Sequence, residues 1–442
     1  MSNNDKVLVY NNIDGIDYFT GTISLIGDIA QFVYSEEWLN NPLAFALNFE
    51  LPLDRDVHYS SSTFGNFQFV LYRLTKNLDF YKEYLLYYLS KKNYIENSLF
   101  NFEDLLIWFR DRKFDGPKFI NINDKINIIP FLINLSMQND YTRCGSYRYK
   151  INDDDNFVMN CSKNLITSVN QIDDSIEIFD KIHKDNSTEL DLDCLLAFAS
   201  GLSGYQPKIN LFDENKNLCI AKISNLLSNN ENELKREILA LNLAKKFNLD
   251  VQDFSVKQTQ SNLKYLLLKR FDRQKEKRIP LIYFRDFAEK FYKYADDISI
   301  SQVVCNITKS NKTKNLREFY KRKLFRTAVN NTKDHLSNVA FLFDKESGWN
   351  LSPEFDTTVG MYIYSSQEEI KNKYEINVDM VKAKIRNLIE NSDIYSISGS
   401  EALDILMNLK NVLSTWQEEA INVGFSEQEL VKLQIYEQAL EI

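Results

Sequence analysis

The chain lacks any long hydrophobic run: no stretch of 18 or more uncharged apolar residues occurs among its 442 residues. Because a helix needs about 20 such residues to cross a bilayer, the sequence predicts no transmembrane span. The opening MSNNDKVLVYNN also has neither the basic nor the apolar segment of a secretory signal peptide. We therefore expect a cytoplasmic protein without a membrane partner.

Side chains that build structural zinc sites are scarce. The chain has three histidines and five cysteines, and no two cysteines form a C-x-x-C pair. An odd number of widely separated cysteines also fits no disulfide framework. These absences argue against small disulfide-rich folds and against zinc-stabilised folds.

An excess of positive charge is absent as well. The net charge of -9 argues against a chain that holds DNA or RNA by its overall field. What the chain does have is length and apolar content, with 442 residues of which 44% are hydrophobic. That is enough for two or three domains with sizeable cores.

The most informative pattern lies at residues 324–356. A helix-patterned run ends in a polar loop at 330–338, and an apolar strand, a turn, a second short strand and an acidic residue follow. Phosphoryl-transfer enzymes of the protein-kinase type have this order, because a loop Asp orients the hydroxyl nucleophile while a loop Asn and a later Asp hold magnesium ions. Asn338 and Asp356 fit the two metal-ligand roles.

A second group of residues, upstream, fits the binding of a nucleotide. Ser200, Ser203 and Gly204 belong to a glycine- and serine-rich loop whose backbone N–H groups can approach phosphate oxygens. Lys222 follows alternating apolar residues, the setting in which a kinase lysine reaches the α- and β-phosphates; the alternative is an ordinary exposed lysine. The next predicted helix carries Glu237, positioned to pair with a lysine on a neighbouring strand.

These motifs resemble the HipA family of Ser/Thr kinase toxins. The loop reads N-T-x-D-H-x-x-N and is followed by S-P-x-x-D, while SGLSGYQPK, which ends at Lys208, resembles the family segment S-L-x-G-x-x-P-K. The stretch LLLKRFDR resembles V-x-R-F-D-R and contains Lys269, where a kinase hinge would touch adenine. DYTRCGSYRY at 140–149 is similar to the family strand that opens the small lobe. The resemblance spans nearly the whole chain, and its sharp motifs occupy 199–356.

The catalytic loop departs from the family pattern. HipA-like proteins have D-x-H-x-x-N, with the first Asp as catalytic base, whereas here Lys333 stands two residues before His335. Asp334 is the substitute base that the loop offers. Lys333 could then lie against the γ-phosphate, where negative charge develops.

The resemblance implies an α+β fold with a protein-kinase-like bilobal core. It divides the chain into an N-terminal β-rich, HipA-type module at 1–112, a kinase-like N-lobe at 113–272 and a mostly helical C-lobe at 273–442. In the C-lobe, an apolar periodicity of three and four predicts a helix from Ser400 to a stop at Gly424, and Ser426 to Glu429 reads as a capping box.

The resemblance also implies a function. A HipA-like kinase uses ATP and Mg²⁺ to phosphorylate a protein of translation, typically an aminoacyl-tRNA synthetase, and is neutralised by a HipB-like helix-turn-helix antitoxin, through which alone it reaches DNA. Lys333 favours a different class, a catalytically impaired kinase fold that acts by binding antitoxin, DNA complex or target. A small-molecule phosphotransferase would share the same site pattern.

One basic helix allows two interpretations. The segment 316–328 has apolar residues on one side and a run of cationic residues, namely Arg317, Lys321, Arg322, Lys323 and Arg326. Such a run is usually a solvated face. The functional alternative is a docking surface for an acidic partner, or for nucleic acid presented by one.

Overall fold

The computed structural model describes residues 6–26, 29–47, 51–59, 139–151, 156–157, 165–184, 186–199, 208–223, 231–284, 301, 304–331, 338–362 and 367–441. These residues fall into two units. Unit 1 is drawn from Met1–Leu226 and Gln258–Leu281, and unit 2 from Leu227–Lys257 and Ile282–Ile442. Residues 79–110, whose aromatic and leucine side chains at helical spacing predict helices, lie outside the described residues.

Unit 1 contains an antiparallel sheet with the order β4-β3-β2-β1-β5. Its strands are β1 (Lys6–Ile13), β2 (Ile16–Ile26), β3 (Ile29–Tyr34), β4 (His58–Tyr59) and β5 (Tyr147–Ile151). The β1–β2 turn is formed by Asp14 and Gly15, whose φ angles of +55° and +89° suit a two-residue hairpin. The segments KVLVYNN, YFTGTISLIG and QFVYS are strand-like in the sequence, and β1, β2 and β3 lie there.

The strand β5 differs from its expected place. The family pattern put it at the start of the small lobe, but Tyr147 to Ile151 pair with β1 in the N-terminal sheet. A buried polar contact supports this pairing, since the Ser146 hydroxyl donates to Oδ1 of Asn11 at 2.7 Å. After β5 come a short helical turn (Val169–Gln171) and the helices α2 (Ile172–His183) and α3 (Glu189–Ala199); the four-residue α1 (Glu36–Leu39) precedes them.

A second sheet in unit 1 carries Lys222. Strands β6 (Lys208–Phe212) and β7 (Leu218–Ile223) are antiparallel neighbours, and β9 (Lys264–Lys269) pairs with the other side of β7. The strand β8 (Phe254–Gln258) straddles the boundary between the units. The two-residue strands β10 (Arg273–Gln274) and β11 (Lys277–Arg278) follow β9. Leu266 and Ala221 lie in the middle of the sheet and are fully buried.

The R-F-D-R stretch after β9 forms a buried ionic cluster in unit 1. Asp272 accepts hydrogen bonds from Arg270 at 2.9 and 2.7 Å, from Arg273 at 2.9 Å and from the backbone N–H of Gly145 at 2.7 Å. A second buried carboxylate, Asp140, binds Arg143 at 2.9 Å. Because partners 127 residues apart meet at Asp272, the motif holds the start of β5 against the end of β9.

Unit 2 holds a three-stranded sheet and most of the longer helices. Its sheet has the order β12-β13-β14. The elements are α4 (Glu231–Lys246), β12 (Leu281–Tyr283, beginning at the unit boundary), α5 (Lys312–Ala328), β13 (Ala340–Asp344), β14 (Gly348–Leu351), β15 (Gly360–Met361), α6 (Gln367–Glu390), α7 (Gly399–Leu413), α8 (Trp416–Val423), α9 (Glu427–Leu430) and β16 (Leu433–Gln434). Short 3-10 helices lie at Ser392–Tyr395 and Glu437–Leu440.

The helices at the end of the chain follow the predicted signals with one difference. Gly424 ends α8 with φ +106°, and Ser426 with Glu429 forms the capping box of α9. The apolar stripe predicted as one helix is instead divided between α7 and α8, because the chain turns at Ser414 and Thr415. Both helices still bury that stripe, with Leu409 and Ala420 fully inside.

Within the described parts of the chain, no helix combines the length and the apolar character needed to cross a membrane. The four cysteines in those parts are all free thiols.

Candidate active site

Unit 2 brings together the two side chains predicted to bind metal. Asn338 lies two residues before the start of β13, and Asp356 lies five residues after the end of β14. The Nδ2 atom of Asn338 donates to the backbone oxygen of Asp356 at 3.4 Å. An amide and a carboxylate are oxygen donors of the kind that Mg²⁺ prefers. The residues present therefore fit a magnesium ion.

The backbone at Asp356 is unusual. Its φ angle is +56°, in the left-handed region that residues other than glycine rarely adopt. Such a conformation persists only where the surrounding contacts over-determine it, and it is common at functional sites. Residues on either side of Asp356 are held by buried contacts.

A buried ion pair supplies the first of these contacts. Arg326 on α5 donates from Nε and Nη2 to the two carboxylate oxygens of Glu354, at 2.7 and 2.8 Å. The same Nη2 atom donates to the backbone oxygen of Asn338 at 3.2 Å. One guanidinium thus contacts both segments that carry the candidate metal ligands.

Glu354 is held from several directions and is fully buried. Its backbone N–H donates to the backbone oxygen of Asp250 at 2.6 Å, and its backbone oxygen accepts from the backbone N–H of Gln252 at 3.0 Å. Its carboxylate accepts a hydrogen bond from the hydroxyl of Thr357. Burial by itself would raise the pKa of Glu354, but the guanidiniums of Arg326 and Arg322 outweigh burial and hold that pKa below its usual value. Glu354 is therefore an ionised anchor.

Asn331 and Asn338, which flank the segment 332–337, are both hydrogen-bonded to the residues around Asp356. Asn338 is bound as described above, and Oδ1 of Asn331 accepts from the N–H and the hydroxyl of Thr358 at 3.3 and 3.4 Å. The predicted catalytic residues lie outside the described residues; they are Lys333, Asp334 and His335.

The helix α4 contacts the chain segment that follows Asp356. The Nε atom of Arg236 donates to the backbone oxygen of Val359, and the N–H of Val359 donates back to the oxygen of Arg236 at 3.3 Å. The neighbouring Glu237 is almost fully buried. The hydrogen bonds of Arg236 therefore join α4 to Val359, three residues after Asp356.

In unit 1, the Lys222 side chain is buried. Only 4% of the residue is exposed, so the alternative of an ordinary surface lysine is wrong. It lies directly opposite Lys208 in the antiparallel β6–β7 pair, which places the two side chains on the same face of the sheet. The loop residues Ser200, Ser203 and Gly204 lie outside the described residues.

Lys269 lies on the other face of that sheet. It pairs with Cys219, which is three residues from Lys222 along β7. Since side chains alternate along a strand, an odd separation puts them on opposite faces. Contact between residue 269 and a nucleotide on the Lys222 face would therefore use the backbone.

Sequence reasoning missed the residues that organise this site. Arg322 and Arg326 were interpreted as part of a solvated or docking face, and this is wrong: they are 2% and 4% exposed. They follow Phe319 at spacings of three and seven, so they lie on the same stripe of α5 as a residue that was predicted to face inward. This spacing from Phe319 is the signal in the sequence that Arg322 and Arg326 face the protein interior.

Comparison with known proteins supports the fold. Residues 200–416 match the HipA-like C-terminal domain, and no curated protein matches the chain. The chain is similar to HipA in the Shewanella oneidensis MR-1 structure of HipA, HipB and operator DNA, with a TM-score of 0.55, 14% identity, and coverage of 98% of this chain and 95% of that one. The Helicobacter pylori proinflammatory kinase CtkA gives a TM-score of 0.37 at 17% identity over 54% of this chain and 86% of that one, too low to support an argument. The predicted α+β kinase-like fold is thus confirmed.

Proposed function

We propose that the chain is a HipA-like, ATP- and Mg²⁺-dependent protein serine/threonine kinase. The observation that carries this proposal is the pairing of Asn338 with Asp356, the latter held in a left-handed backbone conformation. Kinases need an amide and a carboxylate at this place to hold the magnesium ions of ATP.

The site residues would divide the work of the reaction among them. Asn338 and Asp356 would hold Mg²⁺, which supplies neutralisation of the triphosphate charge during transfer. Lys222 and Lys208, on one face of their sheet, would bind phosphate oxygens. Asp334 would accept the proton of the substrate hydroxyl, as predicted from the loop sequence.

The proposed target and partner follow from the family. We propose that the γ-phosphate goes to a protein of translation of the aminoacyl-tRNA synthetase type. We also propose a HipB-like helix-turn-helix antitoxin, with DNA reached only through it. The Shewanella structure contains HipA together with HipB and operator DNA, which supports the partner. A small helix-turn-helix protein encoded beside this gene would support it further.

The second candidate is a kinase fold that binds without catalysis. It is favoured by Lys333, which stands where the family has its catalytic Asp. Such a protein would still bind ATP with magnesium. Phosphoryl transfer, not nucleotide binding, therefore separates the two candidates.

The test compares wild type with Asp356→Asn and with Asp404→Asn, a matched change at an exposed position on α7. ATP with Mg²⁺ should stabilise wild type by roughly 2.7 kcal/mol at a hundredfold excess over Kd, measured as a thermal shift. Asp356→Asn should remove the Mg²⁺-dependent part of the shift, and Asp404→Asn should keep it. A full shift in Asp356→Asn would place the metal site elsewhere. A shift without transfer of radiolabelled phosphate would favour the second candidate.

A further inference from the structure

One arginine side chain contacts both segments that carry the candidate metal ligands. The Nη2 atom of Arg326 donates to the backbone oxygen of Asn338 at 3.2 Å and to Glu354 at 2.8 Å. Its Nε atom donates to the other oxygen of Glu354 at 2.7 Å. The distance between the two segments is therefore set by a single planar group.

The carboxylate of Glu354 transmits this contact to Asp356. Glu354 lies two residues before Asp356, and Thr357, which lies one residue after it, donates its hydroxyl to the same carboxylate. Asp356, with its φ angle of +56°, thus lies between two residues that share one carboxylate. A shift of that carboxylate would move Glu354 and Thr357, one on either side of Asp356.

Charge neutralisation alone does not require Arg326 in this geometry. A second cation, Arg322, lies 3.5 Å from the same carboxylate, and it has its own partner in Glu318 at 2.9 Å. Among the described residues, Arg326 alone donates two hydrogen bonds to Glu354 and a third to the backbone oxygen of Asn338. Its distinctive contribution is therefore geometric.

We infer that Arg326, acting through Glu354, is a positioning residue that sets the two magnesium ligands at their working separation. This inference rests on the proposed function. Partners one step removed from a metal typically change its affinity 10- to 100-fold when they are mutated. The ion pair should therefore control the affinity for Mg²⁺ more than the affinity for ATP itself.

The experiment measures the Mg²⁺ concentration that gives half of the ATP-dependent thermal shift, and ATP binding in EDTA. The variants are Arg326→Lys, which keeps the charge but loses the planar fork, and Glu354→Gln. A third variant, Arg326→Met with Glu354→Met, removes both charges and leaves Arg322 paired with Glu318, so no buried charge is left unpaired. All three should raise the Mg²⁺ midpoint about 10- to 100-fold, with ATP binding in EDTA unchanged.

The double variant separates positioning from simple charge balance. If the pair served only to neutralise buried charge, the double variant would recover the wild-type Mg²⁺ midpoint, and the inference would be overturned. The control is Leu409→Ala, which opens a cavity at a fully buried site on α7 and should keep the wild-type midpoint despite its lower stability. A raised midpoint in Leu409→Ala would also overturn the inference, because any destabilisation would then suffice.

The failure of this inference can be told apart from failure of the proposed function. A wild-type chain whose ATP-dependent shift does not respond to Mg²⁺ would overturn both. A wild-type response that Arg326→Lys and the double variant retain unchanged would overturn the positioning role alone. Single variants that do not fold leave the double variant to decide.

Discussion

Replacing Asp272 by Asn should destabilise unit 1 strongly. The carboxylate is buried and accepts three hydrogen bonds from Arg270 and Arg273 and one from the N–H of Gly145. Removing one partner of a buried ion pair costs about 3–5 kcal/mol, because the remaining charges are left uncompensated. At about 2–4 °C per kcal/mol for a unit of this size, the unfolding temperature should fall by roughly 6–20 °C at pH 7.

The effect should depend on pH in a defined direction. Burial by itself would raise the pKa of Asp272, but the guanidiniums of Arg270 and Arg273 outweigh burial and hold that pKa well below its usual range. A lowered folded-state pKa gives stability that is complete above the unfolded value of about 3.9 and is lost as the pH falls towards the folded value. The difference in stability between wild type and Asp272→Asn should therefore become smaller below about pH 4.

Asp17→Asn is the matched control. The Asp17 side chain is 27% exposed and binds Arg148 at 2.7 Å, while Arg148 keeps Asp140 as a second partner at 2.8 Å. A partly exposed pair of this kind contributes about 0–1 kcal/mol. The assay is thermal unfolding by circular dichroism from pH 7 to pH 3. A loss in Asp272→Asn no larger than in Asp17→Asn, or a gap that stays constant with pH, would refute the reasoning.

Two further predictions concern residues of the catalytic loop and the glycine-rich loop. Asp334→Asn should lower radiolabelled-ATP turnover by about 10²- to 10⁴-fold, the usual contribution of a general base, without changing the ATP thermal shift. Wild-type turnover in Asp334→Asn, with a gain of orders of magnitude in Lys333→Asp, would show instead that the natural protein is an impaired kinase. Autophosphorylation, mapped by intact mass and peptide analysis after incubation with ATP, should occur at Ser200 or Ser203 and weaken nucleotide binding, because the phosphate would occupy the same N–H groups. A phosphosite outside 195–210 would contradict this.

Local patterns were enough to predict much of the framework. The strands at Lys6–Ile13 and Ile16–Ile26 alternate in polarity around an Asp-Gly turn, and both features are properties of adjacent residues. The hairpin after Asn338 and the cap at Ser426 could likewise be predicted from the sequence, because each depends on residues within a few positions of one another. The amide and carboxylate assigned to magnesium were identified by their order in the same way.

Only the tertiary structure decided which charged residues are buried and what they hold in place. Arg326 and Glu354 are 28 residues apart, and no periodicity within α5 reveals that a carboxylate will meet its apolar stripe. In the same way, Ser146, just before β5, is 135 residues from its hydrogen-bond partner Asn11, and the face on which Lys269 lies depends on its register with β7. A sequence pattern records the period of neighbouring side chains, whereas a buried charge is stable only when a distant partner compensates its desolvation.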